Sequence, residues 1–94
     1  MAPLTAAQQR LVDWLAGHFR RLGCSPVIRD IAAGLGYTSN APVQSLVKIL
    51  VQKGVLIQDE RAARTIRFTE EWLRENGEQY GLITLGFQLP ILGA

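Results

Sequence analysis

A chain of 94 residues, 48% hydrophobic and 19% charged, has the size and composition of one domain with its own core, which excludes a disordered chain. No apolar stretch has membrane-spanning length, and the start lacks a secretory signal pattern, so we expect a cytoplasmic protein. Residues 1–68 carry nine Lys and Arg against four Asp and Glu, whereas residues 69–94 carry one Arg against four Glu, and this asymmetry suggests a polyanion-binding part followed by a segment without that task.

The first predicted helix runs from about Ala6 to Leu22. Thr5 and Gln8 have the spacing of a capping box, and Gly23 supplies a left-handed residue at which the helix can end. The apolar residues between these limits recur at helical spacing and include Leu11, Val12, Leu15 and Phe19. The pattern therefore predicts one long amphipathic helix.

A tight turn separates the second and third predicted helices. The second spans about Ile28 to Leu35 and ends at Gly36, and Ser39 or Asn40 can cap the third. The third has the clearest apolar period in the chain, formed by Val43, Leu46, Val47, Leu50 and Val51 and ending at Gly54. Its opposite face consists of small or polar residues, namely Asn40, Ala41, Gln44, Ser45 and Lys48. Such a face suits base edges in a major groove, although an ordinary amphipathic surface helix explains it equally well.

Two short strands joined by a polar loop follow the third helix. Val55 to Gln58 is a short β run, and Arg64 to Phe68 alternates apolar and polar residues. Three helices, a tight glycine-containing turn and a hairpin predict a winged helix-turn-helix, a mainly α fold with a three-helix core plus a small β wing. In that design the third helix enters the major groove and the second crosses the backbone. Arg61 and Arg64 in the wing are expected to reach phosphates, the alternative being that they are solvated charges.

Residues 69–94 have a different character. Thr69 can cap a short helix, about Glu70 to Asn76, that ends at Gly77. Tyr80 to Ala94 is apolar and glycine-rich without a clear period, and we interpret it as a linker that leads to another segment. We therefore assign residues 1–68 to a DNA-binding domain and residues 69–94 to a short helix plus a linker.

Neither catalysis nor metal binding is indicated by the residue types present. Cys24 is the only cysteine and His18 the only histidine, which excludes a disulfide within the chain and a metal site built from several such ligands. No nucleophile–base pair is found, and the glycine motif around Leu35 is too short to hold a phosphate. We predict no enzymatic activity and no cofactor, and we interpret His18 and Cys24 as passive residues.

The chain resembles the N-terminal DNA-binding domain of the LexA repressors of the bacterial SOS response over about Leu4 to Phe68. The resemblance depends on the joint order and spacing of short segments, which are Leu4-Thr5-Ala6, Arg29-Asp30-Ile31-Ala32, Leu35-Gly36-Tyr37, Lys53-Gly54-Val55 and Arg64-Thr65-Ile66-Arg67. It implies a sequence-specific domain that recognises a palindromic operator in double-stranded DNA. The segment Ala41-Pro42-Val43-Gln44-Ser45 is most similar to cyanobacterial members.

The positions of polar and basic residues on the helices and the wing, together with the resemblance, predict the DNA-contacting residues. Those predicted to read bases are Ser39, Asn40, Ala41, Pro42, Gln44 and Ser45. Those predicted to contact phosphates are Arg29, Lys48, Lys53, Arg61 and Arg64. Many members have Pro-Asn-Ala where this chain has Asn40-Ala41-Pro42, and this difference leaves the operator sequence open.

The end of the chain carries a second likeness to the same family. Leu89-Pro90-Ile91-Leu92-Gly93 resembles the segment before the Ala-Gly bond that these repressors cut in themselves. The resemblance implies that a self-cleaving Ser/Lys peptidase domain, through which the parent protein forms a homodimer, lies beyond Ala94. It also implies RecA filaments as partners of the parent and a nucleoid-associated location in a bacterial cytoplasm. The alternative is a winged-helix module whose third helix packs on a partner protein.

Overall fold

The chain folds into helices and a small two-stranded sheet, in the order that the sequence predicts. A computed structural model describes residues 3–58 and 66–82. The elements in these residues are α1 (Ala6–Leu22), α2 (Ile28–Leu35), α3 (Ala41–Gln52), β1 (Leu56–Gln58), β2 (Ile66–Phe68) and α4 (Glu70–Asn76). The strands pair antiparallel, with Leu56 opposite Phe68 and Gln58 opposite Ile66. This arrangement confirms the mainly helical winged helix-turn-helix.

Local sequence signals determine both ends of α1. The Thr5 amide donates to Gln8 Oε1 at 3.0 Å, and the Gln8 amide donates to Thr5 Oγ1 at 3.2 Å, which completes the predicted capping box. Gly23 adopts the left-handed conformation with φ 70° and donates its N–H to the Phe19 carbonyl. Both predicted limits of this helix are confirmed.

The start of α3 differs from the sequence expectation. Asn40 occupies the N-cap position, but its side chain makes no capping hydrogen bond. The reason is its backbone, since φ −82° and ψ −19° are helical values, whereas a capping side chain reaches the helix from an extended residue. Pro42 lies in the first turn, where its missing N–H removes no helical hydrogen bond.

The packed core continues beyond β2. The Phe68 ring stacks on Trp72 of α4 with ring centroids 4.2 Å apart, and the Tyr80 ring lies 5.0 Å beyond Trp72. Thr69 Oγ1 donates to the Gly54 carbonyl at 2.6 Å and accepts from the Trp72 amide at 3.1 Å. The acidic helix α4 therefore packs against the same core as the three helices before it. None of the helices in the described residues has the length and apolar character needed to cross a membrane.

Candidate nucleic-acid interface

The predicted base-reading residues all lie in the turn before α3 or in its first two turns. Each of them is exposed, namely Ser39, Asn40, Ala41, Pro42, Gln44 and Ser45. Val43, Val47 and Leu50 on the opposite side of the helix are buried in the core. The core thus holds α3 by its inner face and leaves a continuous face of small and polar groups in solvent.

The beginning of α3 is electrostatically suited to an anionic ligand. Its first turn contains no acidic residue. The first backbone N–H to bond back along the helix is that of Gln44, which donates to the Asn40 carbonyl at 2.9 Å. The backbone N–H groups of Ala41 and Val43 come before it and have no intrahelical partner. These free donors and the positive end of the helix dipole favour a phosphate or an electron-rich base edge.

Two of the predicted phosphate contacts, Lys48 and Arg29, are exposed on α3 and α2. Lys48 is exposed and lies four residues after Gln44 and three after Ser45, so the three side chains share one side of α3. Arg29 is exposed in the first turn of α2, the helix expected to cross the DNA backbone. The structure thus places cations on both helices of the helix-turn-helix.

The other three predicted phosphate contacts are Lys53, Arg61 and Arg64. The Lys53 ammonium donates to Gln8 Oε1 at 2.8 Å and to the Pro3 carbonyl at 3.1 Å, both at the start of α1. Arg61 and Arg64 lie outside the described residues, as does the segment Leu89 to Gly93. The Lys53 ammonium is therefore turned toward the start of α1.

A close approach between α1 and α2 was missed by the sequence analysis. A Cβ atom at Gly34 would overlap the indole ring of Trp14, so a glycine there lets the ring lie directly on the α2 backbone. The His18 ring stacks on the Trp14 ring, with the two ring centroids 5.1 Å apart. The one signal for this contact in the sequence was Gly34 itself, because a glycine inside a helix lowers its stability. The contact sets where α2 lies relative to α1.

The site offers binding groups rather than reactive ones. His18 is only 7% exposed, and its Nε2 has no hydrogen-bond partner among the described residues. Cys24 is exposed. In residues 3–58 and 66–82, no three His, Cys, Asp or Glu side chains are grouped as a metal site requires. The described arrangement therefore provides exposed hydrogen-bond donors, acceptors and cations.

Known proteins are similar to this chain in sequence. The chain is 37% identical to the LexA repressor of Verrucomicrobium spinosum over 86 residues, which covers 89% of this chain and 43% of that protein. It is 35% identical to the transcription regulator LexA of a Synechocystis species over 71 residues, 76% of this chain and 35% of the relative. The LexA repressor of Frankia casuarinae is 31% identical over 94 residues, 98% of this chain and 37% of the relative.

The chain thus spans less than half the length of these relatives. A family model described as the LexA DNA binding domain matches residues 1–65, which include the whole helix-turn-helix. With the winged helix-turn-helix observed above, this match shows that the chain belongs to the LexA DNA-binding domain family.

Proposed function

We propose that this chain binds double-stranded DNA in a sequence-specific manner, as the operator-recognition domain of a transcriptional repressor. The observation that supports this most directly is the exposed face at the start of α3, which carries amide and hydroxyl groups and no acid. A major groove presents a distinct pattern of donors, acceptors and methyl groups for each base pair, and such side chains can read it. Membership of the family supports the same conclusion.

Base reading and backbone contact are assigned to different residues. The residues proposed to read base edges are Ser39, Asn40, Ala41, Pro42, Gln44 and Ser45. Arg29 and Lys48 are proposed to contact phosphates from α2 and α3, and Arg61 and Arg64 from the wing. Phosphate contacts orient the domain on the duplex without specifying a sequence, and base contacts supply the specificity.

Other properties are proposed for a longer parent protein. The relatives are more than twice as long as the part of them that matches this chain. We propose that homodimer formation on a palindromic operator, RecA-triggered self-cleavage and the Ser/Lys catalytic groups belong to that additional length. A location at the bacterial nucleoid in the cytoplasm follows from the proposed DNA target.

Selection from random duplexes tests the proposal, followed by affinity measurements at several salt concentrations. A single enriched sequence is expected, and the logarithm of the binding constant should fall with the logarithm of salt by about 0.9 for each phosphate contacted. No enrichment, with a weak salt dependence, would instead support the protein-interaction module, because a mainly apolar interface releases few counterions.

A further inference from the structure

A polar contact ties the end of α3 to the start of α1. We propose that Lys53 is a positioning residue for base reading, which sets the angle of α3 in the groove by holding Gln8, and that it is not a phosphate contact. Lys53 has this role only if the chain binds operator DNA as proposed above.

The contact is built from groups that already have structural tasks. Gln8 is 6% exposed, and its Oε1 accepts both from the Thr5 amide at 3.0 Å and from the Lys53 ammonium at 2.8 Å. The ammonium also donates to the Pro3 carbonyl at 3.1 Å, so two of its three N–H groups point at the start of α1. Lys53 is the C-cap residue of α3, where a cation also stabilises the helix dipole.

This contact lies at the end of α3 opposite the base-reading residues, so a small rotation of the helix there displaces them. α3 has 12 residues and Lys53 follows it, so Ala41 lies about 18 Å from Lys53 along the helix axis. A rotation of about 3° at the Lys53 end therefore moves Ala41 by about 1 Å. Hydrogen bonds to base edges tolerate a displacement of only a few tenths of an ångström, so a shift of this size would disturb base reading.

The test compares two affinities, one for the selected operator and one for a random duplex, at several salt concentrations. Lys53→Met removes the ammonium and keeps the apolar stem, and Gln8→Met removes its acceptor. Each variant should lower the ratio of the two affinities by about threefold to tenfold, the size expected from the net free energy of one protein hydrogen bond. The salt dependence should stay unchanged. The double variant should lose no more than Lys53→Met alone, because Lys53→Met already removes the link to Gln8.

Two further variants control for the capping box and for charge. Thr5→Ala removes the Gln8 amide's acceptor in the same capping box and leaves both Lys53 contacts, so the ratio should not change. Lys53→Gln keeps an N–H donor without the charge and should retain more of the ratio than Lys53→Met.

A phosphate contact by Lys53 would give a different pattern of affinities. If Lys53→Met and Lys53→Gln weaken operator and random duplex alike and lower the salt slope by about one, Lys53 is a phosphate contact and the proposal is wrong. A wild-type chain that fails to distinguish the two duplexes would overturn the proposed function itself. The two failures are therefore distinguishable.

Discussion

Gln44 provides the sharpest residue-scale test of base reading, because its amide is exposed early in α3. A glutamine amide can pair with an adenine edge through two hydrogen bonds, so Gln44→Ala should cost about 1–3 kcal/mol on the selected operator and relax the preference at one base pair. Titration of duplexes with single base-pair changes measures both effects. Lys48→Ala is the control and should weaken all duplexes similarly. An equal loss on operator and random DNA for Gln44→Ala would contradict the assignment.

The second residue-scale prediction concerns Gly34 and the free energy of unfolding. Alanine usually stabilises a helix interior by about 1 kcal/mol relative to glycine. At Gly34 the added methyl would overlap the Trp14 ring, so Gly34→Ala should instead destabilise by about 1–3 kcal/mol. Gly17→Ala in α1 is the matched control, since its Cβ would meet only an Arg20 nitrogen at 3.6 Å. Urea unfolding of the two variants should give opposite signs, and a stabilised Gly34→Ala would show that the ring moves aside.

Among the elements, the wing is expected to add affinity without adding specificity. Replacing both Arg61 and Arg64 with alanine should lower the affinity for every duplex and leave the selected sequence unchanged, because backbone contacts carry no sequence information. Arg74→Ala, on the acidic helix α4, controls for the loss of positive charge. Unchanged binding of the double variant at low salt would mean that the two arginines are merely solvated.

Helix α4 is expected to stabilise the domain rather than to contact DNA. Its Trp72 is 3% exposed and stacks on Phe68, so Trp72→Ala should cost about 3–5 kcal/mol of unfolding free energy. The exposed neighbour Glu75→Ala should change it by less than about 0.5 kcal/mol. Thermal and urea unfolding measure both, and the operator preference of folded Trp72→Ala should be that of the wild type. A change in preference would show that α4 influences α3.

At the scale of the whole molecule, we predict a monomer that binds one half-site weakly. Among the described residues, the exposed large hydrophobic side chains are still partly buried. They are Ile49, Val51, Ile57 and Leu22, which are 37%, 38%, 40% and 60% exposed. Stable pairing of helices needs a continuous apolar stripe, and the apolar stripes of α1 and α3 face the core. Sedimentation of the chain, and of a version ending at Leu82, should give the monomer mass. A tight dimer of the shorter version would contradict the prediction.

The same prediction extends to DNA with two half-sites. Helix-turn-helix repressors act as two-fold pairs on half-sites about one helical turn apart. Fusing a dimeric coiled coil to the chain should raise affinity for a palindromic operator by about 10²–10⁴-fold, because the second domain then binds at a high effective concentration. A duplex with a single half-site is the control, and a similar gain there would show that the coiled coil itself binds DNA.

The limits of α1, α2 and α4 could be predicted from sequence because the signals for them are local. Thr5 with Gln8, and Thr69 with Trp72, cap their helices through hydrogen bonds between a side chain and a backbone N–H three residues away. Left-handed glycines end α1 and α2 within the same few residues. The exposed face of α3 was likewise readable, since a helical period divides buried from exposed positions along one element.

Contacts between distant residues were decided by packing alone. Gln9 Nε2 donates to the Tyr80 hydroxyl at 2.7 Å across 71 residues, and Arg20 donates to the Tyr80 carbonyl, so residues read as the start of a linker lie against α1. Lys53 meets Gln8 across 45 residues. No period or spacing encodes such pairs, because they depend on the angles at which helices cross. The residue types at the proposed DNA-binding face are thus a property of the sequence, and the orientation of that face is a property of the tertiary structure.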